Sequence, residues 1–181
     1  MTRSSRAPAA CAGRPSSGSG GARGAPRAFL VGGYSGAWID AGAASELTLE
    51  ESSLRRLGGT LGVGAIAVLP STSCGLCETA RIARFLASES AGQCGPCVHG
   101  LAAVAGSLER ALGGRPGSDR ALLDRRLDEV TGRGACRHPD GAARFVASAL
   151  EVFEAEIDRH DPQRCAGGAR TILPIPARAR R

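Results

Sequence analysis

Cysteine is the residue of this chain best suited to chemistry, and seven occur in 181 residues. Four of them form two CxxC pairs, Cys74–Cys77 and Cys94–Cys97, with sixteen residues between the pairs. Thiolates repeated at that interval match a zinc template of the form C-x2-C-x15–20-C-x2-C. The intervening ETARIARFLASESAGQ reads mostly as an amphipathic helix, whereas a zinc ribbon needs short strands and knuckle turns. Zinc stays open as one reading. Metal-free thiols that pack as small hydrophobes stay open as another. Cys11 and Cys165 fall in Arg-rich terminal runs and are read as incidental. His99 and His138 are read as solvated or capping residues near helix ends.

Other chemistries lack their residues. HExxH, GxSxG and a framed pair of carboxylates are all missing, as are GxGxxG and GxxxxGK[ST], so neither a hydrolase site nor a phosphate-cradling loop is read here. The formal charge of +6 is uneven. Residues 1–27 and 164–181 carry five Arg each and no acid, leaving 28–163 with thirteen Arg against seventeen acids, a balance of −4. A mildly acidic middle whose only aromatics are Phe29, Tyr34, Trp38, Phe85, Phe145 and Phe153 argues against nucleic acid as a partner. No apolar run approaches the roughly 18 residues of a membrane span. Seven cysteines in a chain of this size fit ligands or buried thiols of a reducing compartment better than disulfides, and a cytoplasmic location is expected.

The elements that must position the cysteines change character along the chain. Residues 1–27, rich in Ser, Gly, Pro and Arg, bury too little apolar surface to offset their ordering entropy and are expected to be disordered. From Ala28, AFLVGGYSGAW reads as an apolar strand broken by a turn at Gly32, Gly33 and Gly36, and GAIAVLP, residues 64–70, as a second strand stopped by Pro70. TLEESSLRRLGG between them reads as a short helix. After Pro70 the spacing becomes helical. Ile82, Phe85 and Leu86 mark one helix, and Leu101, Val104, Leu108 and Leu112 a second. Leu123, Leu127 and Val130 mark a third, which Asp119 starts, and Phe145, Val146, Leu150, Phe153 and Ile157 mark a fourth over about 140–158. The expected fold is α+β, a compact β unit over 28–70 followed by an antiparallel four-helix bundle over 71–160, with a basic tail over 161–181.

The stretch Glu89-Ser90-Ala91-Gly92-Gln93-Cys94-Gly95-Pro96-Cys97 resembles the E-S-C-G-x-C-x-P-C signature of the NADH-binding flavoprotein subunit of respiratory complex I, the F component of NADH-quinone oxidoreductase. GGYSGAW and GVGAIAV resemble the strands of that family's ubiquitin-like, soluble-ligand-binding β-grasp domain. Gly132-Arg133-Gly134-Ala135-Cys136 resembles the segment with its last cluster cysteine, and VASALEVFEAEIDRH its final helix. The resemblance spans roughly residues 28–160, and makes the β unit a partial β-grasp. It implies a 4Fe-4S cluster on Cys94, Cys97 and Cys136. Ala91 stands where the family has its first cysteine, so a substitute for the fourth ligand is implied, with Cys74 or Cys77 preferred over His99 and His138 because thiolate is the softer ligand. It further implies an electron-transfer module rather than a complete enzyme. The chain has no counterpart of the family's FMN- and NADH-binding half, and a partner with a flavin/NADH domain or another redox subunit is expected. A metal-free docking module and a zinc-binding structural module are the alternatives.

Overall fold

Short apolar runs separated by glycines make strands that can turn back within a few residues, and the chain does so at once. The computed structural model describes residues 25–45, 48, 50–113, 118–161, 165 and 171–176. Strand β1 (Pro26–Val31) turns through a 3-10 segment at Gly33–Ser35 into β2 (Ala37–Asp40). The turn needs its glycines: Gly32 and Gly33 have φ of 91° and 73°. A Cβ on Gly36 would lie 1.8 Å from the Val31 carbonyl oxygen. Asp40 caps a four-residue helix, α1 (Ala41–Ala44), by accepting the N–H of Gly42 at 2.8 Å. That short helix had no apolar periodicity to announce it. After α2 (Glu51–Arg56), strand β3 (Ile66–Pro70) returns antiparallel to β1, giving the sheet order β2-β1-β3.

The two faces of this sheet bury different things. Ala28, Leu30, Trp38 and Leu69 join the large core shared with the helices, while Val31, Ile39 and Leu54 make a smaller core under α2. The alternation follows from the two-residue period of a strand.

Helices α3 (Gly75–Ser88), α4 (Leu101–Leu112), α5 (Ser118–Val130), α6 (His138–Val152) and α7 (Glu154–Ile157) form the rest, and a π-helical turn, Pro96–Gly100, runs directly into α4. The α+β class is as expected, and α3 packs on α4 and α6, α4 on α5, and α6 on β2. Trp38 joins the layers. Its Nε1 donates to Thr79 Oγ1 of α3 at 2.9 Å, its backbone N–H donates to Ser148 Oγ of α6 at 2.9 Å, and its ring stacks edge-on against Phe153 with centroids 5.6 Å apart. The last expected helix is two helices, separated at Phe153. The Phe153 ring covers Gly75 so closely that a Cβ there would stand 2.2 Å from it.

The C-terminal basic tail is packed against the helices where it is described. Leu173 is 2% exposed, inside the helical core. Buried Glu78 accepts the N–H groups of Ile172 at 3.2 Å and Leu173 at 3.1 Å, Arg81 donates to the Leu173 carbonyl, and Tyr34 donates to the Pro174 carbonyl. A carboxylate taken from water requires such partners, and here the backbone of a distant segment supplies them. Residues 1–24 with Cys11, and residues 162–164, 166–170 and 177–181, lie outside the described residues.

Candidate metal centres

Helix α3 is 14 residues long, hence about 21 Å at 1.5 Å per residue. One CxxC motif lies at each end, so the two are held apart by the length of a rigid element.

At the N-terminal end, Cys74 is the N-cap of α3, and its Sγ accepts the N–H of Cys77 at 3.4 Å. Cys77 Sγ lies 3.3 Å from His160 Nε2 and 3.3 Å from Cys165 Sγ. The four ligand atoms of Cys74, Cys77, His160 and Cys165 all lie within 4.8 Å of one another. His160 is oriented from behind, since its Nδ1 stands 2.9 Å from the Leu112 carbonyl oxygen. A carbonyl only accepts, so Nδ1 carries the proton and the Nε2 lone pair faces the sulfurs. The Cys74 thiol is drawn down to about 4, first by the side-chain hydrogen bond from Cys77, with the Cys77 N–H, Cys165 and His160 adding to it. Cys77 is pushed up, because it donates to Cys74 and is desolvated. The group thus favours a thiolate at its centre.

At the C-terminal end, the loop after α3 brings in Cys94 and the π turn brings in Cys97. Gly100 lets this turn lie against α5, where a Cβ would meet Val130 Cγ2 at 2.5 Å. That contact brings Cys97 beside the loop between α5 and α6. Asp140 pins the loop by accepting the Gly132 N–H at 2.8 Å, and Gly134 lies tight against the Cys136 carbonyl and Pro139. The backbone N–H groups of Ala135 and of Cys97 hold the Cys94 thiol below the ordinary range, the first most strongly. Burial pushes Cys97 up, and the thiols of Cys94 and Cys136 both act on it in the same direction. Cys94, Cys97 and Cys136 therefore share one pole. They do not close to within 4.8 Å of one another as the first group does. Cys97 is buried, Cys94 half-buried and Cys136 exposed.

Cys74 and Cys77, preferred in sequence as a fourth ligand for this pole, sit at the opposite end of α3 and are engaged with His160 and Cys165. The helix between the motifs separates them from Cys94 and Cys97. Ala91 is exposed in the loop before Cys94, leaving its side of the pole open to water. His138 Nε2 donates to the Leu86 carbonyl at 3.0 Å, a structural bond, and His99 is exposed. Cys165, read as incidental, belongs to the first group. Sequence reasoning missed His160. A signal existed in H-x4-C, His160 to Cys165, but more than eighty residues separate it from Cys77, and spacing alone does not join two half-sites so far apart.

The comparisons with known proteins agree with the resemblance. Residues 77–160 match the family model described as the NADH-ubiquinone oxidoreductase-F iron-sulfur binding region. An NADH-quinone oxidoreductase F component of Rhizobium meliloti (strain 1021), the second of two in that organism, is 31% identical over 141 residues, covering 77% of this chain and 33% of its own length. Its counterpart in Streptomyces coelicolor (strain ATCC BAA-471 / A3(2) / M145) is 30% identical over 118 residues, 64% of this chain and 26% of its own length. The chain thus spans a third or less of these relatives. Among solved structures, an NAD+-reducing [NiFe]-hydrogenase in the H2-reduced state superposes with a TM-score of 0.69 at 21% identity, covering 81% of this chain and 25% of that one, a likeness of fold.

Proposed function

We propose, for a chain whose residues 77–160 carry the iron–sulfur binding region of the NADH-quinone oxidoreductase F family, that Cys94, Cys97 and Cys136 hold a 4Fe-4S cluster and that the chain is an electron-transfer module. The observation that carries this reading is that the three thiols share one pole, where the N–H groups of Ala135 and Cys97 lower the Cys94 thiol. Backbone donors to a ligating sulfur stabilise its negative charge and raise the reduction potential of what it binds. The donor set would fit three of the four iron corners, and exposed Ala91 supplies no thiolate for a fourth. A bound cluster supplies one-electron storage. The chain's own part is to hold the thiolates, to cover one side with the α4 and α5 ends, and to keep the Cys136 side accessible for exchange with a partner.

In this reading the sheet is a partial β-grasp and the helices an antiparallel four-helix bundle that grips the cluster at one end. Electrons then arrive from a partner subunit that carries a flavin/NADH domain, or leave to another redox subunit. The relatives, components of NADH-quinone oxidoreductases, support that kind of partnership. Among the described residues no helix is long and apolar enough to cross a membrane.

The test is anaerobic purification followed by iron and sulfide analysis and visible absorption. Brown protein with iron and sulfide in similar amounts is expected, and Ala91→Cys should raise cluster occupancy and resistance to oxygen by closing the labile corner with a thiolate. Colourless protein, in the native chain and in Ala91→Cys after reconstitution with iron and sulfide, would sink the reading.

A further inference from the structure

Two features of the group at the start of α3 remain unexplained by an iron–sulfur cluster. The first is its spacing. A single tetrahedral ion with metal–ligand bonds of roughly 2.0–2.3 Å holds its ligand atoms roughly 3.3–3.8 Å apart. Cys77 Sγ stands 3.3 Å from both His160 Nε2 and Cys165 Sγ, and all four ligand atoms lie within 4.8 Å of one another. A four-iron cube, with each thiolate on a separate iron, spreads its ligands more widely. The second is the donor set, three thiolates and one imidazole. A His whose other ring nitrogen is fixed by a backbone carbonyl is the arrangement that orients a metal ligand, and the Leu112 carbonyl does this for His160. The sequence range that matches the iron–sulfur family model begins at Cys77 and ends at His160, so Cys74 and Cys165 lie outside it.

We infer that Cys74, Cys77, His160 and Cys165 bind one zinc ion, independent of any cluster at the other end of α3. Four protein ligands leave no open coordination position, so the ion is structural and not catalytic. It closes a large loop of chain, because Cys77 and Cys165 are 88 positions apart, and fastens the segment after α7 to the start of α3. The same segment is held further along by Glu78, through Ile172 and Leu173. Zinc and the buried carboxylate therefore fix the path of the chain after His160 at two points.

The experiment is elemental analysis of the full chain after anaerobic purification, with zinc and iron counted separately. About one zinc per chain is expected. Cys165→Ser and His160→Gln should each weaken zinc by more than the roughly 10–100-fold that losing a mere supporting group costs, with iron content unchanged. In case a variant misfolds, the native chain loaded with Co2+ gives an independent reading. It should show intense tetrahedral ligand-field bands and thiolate-to-metal charge transfer. Weak octahedral bands, iron lost in Cys165→Ser, or a Cys77–Cys165 disulfide in the anaerobically purified protein would each overturn the assignment. Colourless protein with one zinc would instead remove the cluster proposal and leave this one standing.

Discussion

At both ends of α3 a CxxC motif opens a helical turn, and in both the backbone N–H of the second cysteine acts on the first thiol and lowers it. The local device is the same, and the surroundings differ. At the start of α3 a third thiol and an imidazole close around the pair to within 4.8 Å, with Phe153 and the 171–176 segment packed nearby. At the start of α4 the third thiol is exposed Cys136, and Ala91 in the loop before the pair is exposed as well. A CxxC turn thus prepares two thiolates and little more. What the pair binds depends on what distant chain brings to it: a tight, closed set suits one ion, and a wider, open set suits a cluster that must exchange electrons.

The sharpest way to break this contrast is a reciprocal pair of substitutions. Cys97→Ala should bring iron and sulfide to background while zinc stays, and Cys77→Ala should do the reverse, since each removes a ligand from one pole only. Metal analysis that found both metals falling together in either variant would show one coupled site in place of two.

Gly75→Val is next in size. Its side chain must displace the Phe153 ring, which lies 2.2 Å from where a Cβ would be. Overpacking of this kind costs about 1–3 kcal/mol. Thermal unfolding should shift down by roughly 2–4 °C per kcal/mol, and zinc affinity should drop with iron content preserved. An unchanged Tm would mean that the ring moves freely and does not position the start of α3.

Glu78→Gln tests the second anchor of the C-terminal segment. The amide keeps the shape but loses the charge that accepts from Ile172, Leu173 and Arg81. A loss of about 1–2 kcal/mol is expected, together with faster hydrogen exchange at the N–H groups of residues 172 and 173. Unaltered exchange there would place the hold on that segment elsewhere. The smallest effect belongs to Arg84→Gln, midway along α3, which removes an exposed ion pair with Glu109 of α4. It should cost no more than about 1 kcal/mol and leave both metals in place. If either metal were lost, the helix would be transmitting strain between poles that the contrast treats as separate.

Much of this molecule was legible in the residues. The change from a glycine-broken β unit to helices at Pro70, the helical spacing of α3 to α6, and the pairing of Cys94 with Cys97 rest on short-range signals, whereas Cys136 came only with the family resemblance. Those signals are strand alternation, helical spacing and a motif within nine residues. Local sterics and burial periodicity act over one or two turns of chain, so a linear string records them. The break at Phe153 is different in kind. Periodicity continues through it, and the packing of the Phe153 ring over Gly75 is a contact that the linear pattern does not record.

The first pole was decided by tertiary structure alone. Nothing in the neighbourhood of Cys74 and Cys77 says that they belong with His160 and Cys165 and not with Cys94, which is nearer in sequence by more than sixty positions. The choice is made by the rigidity of α3, which sends its two ends roughly 20 Å apart, and by the packing of α6 and Phe153, which returns the chain to the beginning of that helix. Residue types determined that thiolate chemistry was available. Helix length and core packing determined which thiols share it.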